Sequence, residues 1–189
     1  MVTEEQLSAL DLTIWLGSTD QAANAAYTNQ STISRRNQKV LKQFGIQLER
    51  SESLLAVCGD LQLLNLERQV HQLVRLKHRK LLRLQAPFWL QQTSDLDLPE
   101  GWIMNSVRED FSCADPITLL REHVLDACLA TPTQISSKRD DLIVLELHQR
   151  PINLNLLNKN GHNQKALKDH FYWSLENQNL ELKLMPFLP

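Results

Sequence analysis

Glycine is scarce, with five in 189 residues, and no two of them lie close together. P-loops and dinucleotide folds need clustered glycines, because the backbone must approach phosphates where a side chain would collide. Isolated glycines build neither motif. The three cysteines, Cys58, Cys113 and Cys128, are odd in number and far apart. They offer no disulfide framework and no zinc spacing, which points to a reducing cytoplasm. The six histidines show no metal-ligand spacing with cysteine or carboxylate. His71 and His78 sit two turns apart on one helix face without a third ligand, so they read as surface or seam residues. No run of apolar residues reaches the length of a membrane-spanning helix. The N-terminus is acidic and polar, unlike a signal peptide. Neither a nucleophile elbow nor a cysteine-protease signature is present. An enzyme is therefore not expected, nor is a cofactor, a metal or a membrane partner.

What is there is 42% hydrophobic residues, enough for one large domain or two small ones. The net charge of −2 hides an asymmetry: residues 1–84 hold 11 Lys+Arg against 8 Asp+Glu, and residues 85–189 hold 9 against 14. A basic front and an acidic back suit a protein whose front half meets a polyanion.

The front half is patterned as helices. Thr3 with Gln6, and Ser18 with Gln21, make capping boxes that open two helices. The first helix should start near Glu4 and bury Leu7, Leu10 and Ile14. Asn29 is a good N-cap for a third, and Gly45 follows Phe44 as a glycine does at a helix C-terminus. Ile33, Asn37, Val40 and Phe44 share one face of that third helix by 3.6 periodicity. Leu7, Leu10, Ile14, Ala22, Ala26, Ile33, Val40 and Phe44 should form a small three-helix core. Asn37 breaks the apolar stripe, and a buried amide needs a partner. The opposite face carries Gln30, Thr32, Ser34, Arg35, Arg36 and Lys39, suited to phosphates and base edges.

The run AANAAYTNQSTISRR resembles the helix-turn-helix of LysR-type transcriptional regulators. The shared features are the Ala22-Ala23 pair, then Ser31 and Ser34-Arg35, then Phe44-Gly45-Ile46, in register without gaps over 17–48. The resemblance implies that the helix from Gln30 enters the major groove. Gln30, Ser31, Thr32 and Arg35 then lie near base edges, while Ser34, Arg36 and Lys39 hold phosphates, and Asn29 completes the DNA-binding set of this helix. Residues 49–56 occupy the place of the family's wing. They look a few residues short and keep one arginine, Arg50, so a stunted wing is expected.

Further along, LAVCGDL resembles the start of the family's long linker helix, here expected from about Gly59 to Arg79. Leu63, Leu66, Val70 and Leu73 form a 3-4-3 apolar seam of the coiled-coil type. In the family this helix pairs with a second subunit; packing on the chain's own C-terminal half is the alternative. Arg75, Lys77, Arg79, Lys80 and Arg83 read as a solvated basic cluster. A strand is expected at 81–85, a helix opening at Asp115-Pro116 with Leu119, Leu120 and Val124 buried, and strands at 125–129 and 142–147. A helix at 165–175 and a strand at 180–185 complete the pattern. The resemblance covers residues 3–160, in order throughout and closest to Leu48.

The sequence thus points to an α+β chain: an N-terminal all-α winged helix-turn-helix at 1–57, a linker helix at 58–80 and a small α/β lobe at 81–189. As function it suggests a dimeric LysR-type DNA-binding regulator, cytoplasmic and nucleoid-associated, with double-stranded DNA and a second copy as partners. One lobe is expected where the family has two, so no response to a small-molecule inducer is expected, and Trp89, Trp102 and Trp173 should line an exposed rim. The alternative is an interaction module that heterodimerises with a full-length relative and does not itself regulate by DNA binding.

Overall fold

The computed structural model describes residues 2–51, 54–87, 98, 100–107 and 115–129. They all belong to one of two compact units, Met1–Gln92 with Leu98–Lys138. The elements expected at 142–147, 165–175 and 180–185 lie outside the described residues, as do Trp89, Cys113 and Trp173. The described part is α+β. Three helices, α1 (Glu4–Leu16), α2 (Thr19–Ala25) and α3 (Gln30–Phe44), are followed by a hairpin, β1 (Gln47–Ser51) and β2 (Leu54–Cys58). Then come α4 (Gln62–His78), β3 (Leu82–Pro87), β4 (Trp102–Val107), α5 (Pro116–Arg121) and β5 (Ala127–Cys128).

Local chemistry sets the helix ends. The Gln6 amide donates to Thr3 Oγ1 and the Thr3 amide to Gln6 Oε1, closing the first capping box. Gly17 ends α1 at φ 75° and Gly45 ends α3 at φ 66°, both in the left-handed region that glycine enters without a Cβ clash. Asp115 accepts from the Ile117 and Thr118 amides ahead of Pro116, which opens α5. The long helix α4 begins at Gln62, three residues later than its pattern suggested, where Asp60 accepts the Gln62 amide.

The hairpin pairs antiparallel from Gln47 opposite Cys58 to Ser51 opposite Leu54. The second sheet is parallel, with β3 central between β4 and β5. Gly101 permits the return into β4. A Cβ there would lie 2.0 Å from the Arg79 carbonyl oxygen, and the Gly101 carbonyl takes the Leu82 amide at 2.8 Å.

The expected core is part of a larger one. Leu7, Leu10, Ile14, Ala22, Ile33 and Val40 are buried as the periodicity requires, with Phe44 and Ala26 partly so. But α1 also buries Ala9, Asp11, Leu12, Thr13 and Trp15, and the same cluster takes in Leu64, Leu119, Val124 and Leu125. The helix is enclosed on all sides, as a helix is when elements pack on both faces. One face meets α2 and α3. Another carries Ser8, Asp11 and Trp15 at helical spacing and meets alternate residues of β3. Arg83 donates to Ser8 Oγ and to Asp11 Oδ2, and the Trp15 indole N–H donates to Gln85 Oε1 at 2.6 Å.

That polar seam overturns the reading of Arg75 and Arg83 as part of a solvated cluster. Lys77, Arg79 and Lys80 are exposed, but Arg83 is fully buried and Arg75 nearly so. Arg68, on the inner face of α4, is fully buried as well and donates from Nε to Asp11 Oδ1 at 2.8 Å and from Nη1 to Glu122 Oε2. Arg75 grips Asp126 through Nε and Nη2 and also donates to the His123 carbonyl. Taking such ions out of water costs several kcal/mol each unless they are paired. Here Arg68, Arg75 and Arg83 meet Asp11, Asp126 and Glu122, charge for charge. Burial and the nearby Arg75 lower the Arg83 pKa, and Asp11 and Asp126 oppose the shift.

Candidate nucleic-acid interface

Helix α3 is held by its back and offers its front. Ile33, Asn37 and Val40 are buried; Ser31, Arg35, Gln38, Lys39 and Lys42 are exposed. The internal amide finds a side-chain partner rather than a backbone one. Asn37 Nδ2 donates to Thr13 Oγ1 at 2.9 Å, and Thr13 donates on to the Ala9 carbonyl. Asn37 Oδ1 is buried without a hydrogen-bond partner among the described residues. An unmet buried acceptor costs about 1–3 kcal/mol, so this joint between α1 and α3 is weaker than an aliphatic pair would be.

The N-terminus of α3 is organised before any ligand arrives. Asn29 Oδ1 accepts the Thr32 amide and the Ser31 hydroxyl, each at 2.8 Å, so Asn29 serves as a cap. Gln30 Nε2 donates to Thr19 Oγ1 at 3.0 Å, tying the first turn of α3 to the first turn of α2. No acid lies in the first turn of α3, leaving the positive end of the helix unopposed there. Arg35 folds back with Nε on the Ser31 carbonyl, which holds it along the exposed face.

The remaining candidates divide. Thr32, Ser34 and Arg36 are half-buried at the flanks of that face. Lys39 lines a shallow groove of about 380 Å³ with Val2, Gln6, Lys42 and Gln43. In the hairpin, Arg50 Nη2 donates to the Gly17 carbonyl at the end of α1. This arginine therefore braces the hairpin against α1 with part of its donor set. Two exposed residues escaped the sequence reading, Gln38 and Lys42. With Ser31 and Arg35 they repeat at intervals of four, three and four, a helical stripe that the spacing alone could have shown.

Tyr27 was missed for a different reason. It stands between α2 and α3 at φ 50° and is 94% exposed. A left-handed backbone costs an ordinary residue about 1–2 kcal/mol. Nothing in the local pattern forecasts an aromatic ring there.

Helix α4 is inverted relative to an ordinary surface helix. Its inner positions are Leu64, Arg68 and Arg75, with Gln72 donating to the Leu125 carbonyl. Its outward seam is apolar: Leu63 is 69% exposed and Leu66, Val70 and Leu73 about 60% each. Trp102 is half-buried in β4.

Neither described cysteine is set up for chemistry. Burial, reinforced by Asp115, pushes the Cys128 thiol up to about 11. The Cys58 thiol is raised by its hydrogen bond to Glu49. Among the described residues no group of acids, histidines and cysteines could hold a metal ion, and no helix is long and apolar enough to cross a membrane.

No protein-family model matches the sequence, and no curated protein matches it. Solved structures do. ArgP from Mycobacterium tuberculosis is similar at 22% identity over 64% of this chain and 45% of its own, with a TM-score of 0.35. Full-length OxyR from Pseudomonas aeruginosa, in a variant form, is similar at 17% identity over 70% of this chain and 51% of its own, with a TM-score of 0.39. A LysR family transcriptional regulator is similar at 18% identity over 67% and 52%, with a TM-score of 0.34. The chain spans about half the length of these proteins. Ala22-Ala23, Ser31, Ser34-Arg35 and Phe44-Gly45-Ile46 carry a resemblance to LysR-type regulators, and a LysR family regulator is among the solved structures similar to this chain.

Proposed function

We propose that this chain is a DNA-binding transcriptional regulator of LysR type that acts as a dimer, without enzymatic activity, in the cytoplasm. The observation that carries the reading is α3. Its back is locked into the core by Ile33 and Val40, and its front presents Ser31, Arg35, Gln38, Lys39 and Lys42 to solvent beside a capped, positively polarised N-terminus. Such a face can lie in a major groove, with Gln30, Ser31, Thr32 and Arg35 toward base edges and Ser34, Arg36, Lys39 and Lys42 toward phosphates. Residues 1–57 would bind DNA, with the β1–β2 hairpin as a short wing.

The second half of the reading is pairing through α4. Four apolar side chains at 3-4-3 spacing face outward, while arginines fill the inward side. A second copy laid along Leu63, Leu66, Val70 and Leu73 would cover that seam. Residues 58–80 are then the pairing helix, and 81–189 the effector-like part. A pairing module that leaves DNA alone is the weaker reading, because it gives the cationic front of α3 no task.

The test is a mobility-shift titration of the full chain against fragmented genomic DNA and a randomised duplex pool across a salt series. Retardation that weakens steeply with salt is expected, since phosphate contacts release counterions. Free duplex at every protein concentration in low salt would defeat the proposal.

A further inference from the structure

Helix α3 holds three glutamines, and their surroundings differ. Gln30 spends Nε2 on Thr19 Oγ1. Gln43 lines the groove at the flank with Val2, Gln6, Lys39 and Lys42. Gln38 is exposed, and its side chain makes no hydrogen bond to another described residue. Its outward direction is set by its neighbours. Asn37 is buried and bonded to Thr13, and Ile33 and Val40 are buried on the same side, which fixes the rotation of the helix about its axis. Gln38 therefore stands on the front with exposed Ser31 and Arg35 and half-buried Ser34, at intervals of three, one and three. A helix lying along a major groove meets base edges with residues at that spacing.

The side chain's chemistry narrows what it meets. A carboxamide offers an acceptor, Oε1, beside a donor, Nε2. The major-groove edge of adenine offers the complement, the N7 acceptor beside the N6 donor, and takes glutamine in two parallel hydrogen bonds. Guanine presents two acceptors, thymine one acceptor and cytosine one donor, so each leaves half of the amide unmet. A phosphate offers acceptors only and has no charge to meet on Gln38. Three residues of α3 advance about 4.5 Å, against about 3.4 Å between base pairs. The base that Gln38 meets is thus next to the one facing Arg35.

We propose that Gln38 is a specificity-determining residue that reads an adenine in the base pair next to the one facing Arg35. This rests on the DNA-binding reading and gives α3 a preference for sequence beyond its charge. Because the amide is neutral, its contact releases no counterion and favours one base pair without raising affinity for DNA in general.

The test is selection from the randomised duplex pool, with sequencing, for the full-chain parent, Gln38→Ala and Gln38→Lys, followed by fluorescence anisotropy and urea unfolding. The parent should enrich adenine at one position. Gln38→Ala should lose that preference alone and bind the parent's selected duplex about tenfold more weakly. It should keep the parent's affinity for the unselected pool and its salt slope, with a urea midpoint no lower than the parent's. Gln38→Lys should exchange adenine for guanine there, because an ammonium donates to the guanine acceptors. A merely structural role would instead weaken binding to the whole pool and leave the base preferences unmoved. A parent that selects a sequence, with a Gln38→Ala protein that keeps every preference, overturns the inference and leaves the DNA reading standing. A parent that binds the pool without selecting any base does the same. A parent that fails to bind overturns both.

Discussion

Asp11 and Arg83 form an ion pair at 3.2 Å that is almost wholly removed from solvent, and the same carboxylate also holds Arg68 at 2.8 Å. One acid on the first helix thus joins α4 and β3 to it. The position of α1, and through it of α3, depends on that carboxylate.

Asp11→Ala should therefore be severely destabilising. It leaves Arg68 and Arg83 buried without their shared anion, and breaking a buried pair from one side costs about 3–5 kcal/mol. The measurement is urea unfolding followed by circular dichroism. A midpoint equal to the parent's would show that water, not Asp11, satisfies the two guanidinium groups.

Gly101→Ala should also destabilise, through shape rather than charge. The added methyl would start 2.0 Å from the Arg79 carbonyl oxygen, and φ is 90°. The backbone must shift to relieve this, so a loss of more than about 1–2 kcal/mol is expected, with weaker β3–β4 pairing in hydrogen exchange. Parent-like exchange at Leu82 would count against it.

Stability should fall in mild acid partly through His123. Burial, then Arg68 and Arg75, lower its pKa below the ordinary 6.5, with Asp126 opposing. Gln72 Nε2 is committed to the Leu125 carbonyl, so its Oε1 accepts from His123 Nδ1–H, fixing the neutral tautomer. The unfolded chain then binds more protons than the folded one between the two pKa values. This contribution is fully present above about pH 6.5 and is lost as pH drops through the folded value. His123→Asn suits the backbone φ of 58° and removes the titration. Its stability should change less than the parent's between neutral pH and pH 5, as read by urea midpoints. Parallel curves would assign the acid response to other groups.

Leu66→Asp with Leu73→Asp should abolish self-association while leaving the fold intact, since both side chains are about 60% exposed in the isolated chain. Charges there oppose a dry helix pair without touching the inward arginines. Sedimentation velocity of parent and variant decides it: a dimer that survives both substitutions places the interface elsewhere.

On α3, Arg35→Ala should weaken DNA binding by about 1–3 kcal/mol and relax preference at one base if Arg35 reads a guanine. Lys39→Ala should weaken binding to all duplexes alike and flatten the salt dependence. Selection from the randomised pool, followed by sequencing, separates the two. Identical base preferences and affinities for parent and both variants would remove α3 from the groove.

Much of the first half of the chain could be read from its residues alone because the interactions that define it are local. Thr3, Ser18, Asn29 and Asp115 each accept an amide two or three positions on, and Gly17 and Gly45 end helices by their own backbone freedom. The seam of Leu63, Leu66, Val70 and Leu73 follows from spacing on one helix, which is why its outward face was legible before its surroundings were known. The arginines could not be read in this way. Arg75 and Arg83 lie in a run with Lys77, Arg79 and Lys80, and composition treats all five alike. Their fates diverge because Asp126 and Asp11 reach them from 51 and 72 residues away. Only the fold decides which cation meets an acid and which meets water. The same holds for α1, whose period marked one buried stripe. Its second face joins half-buried Ser8 to buried Asp11 and Trp15 through polar groups, and such groups announce burial only once their partners Arg83 and Gln85 are brought against them.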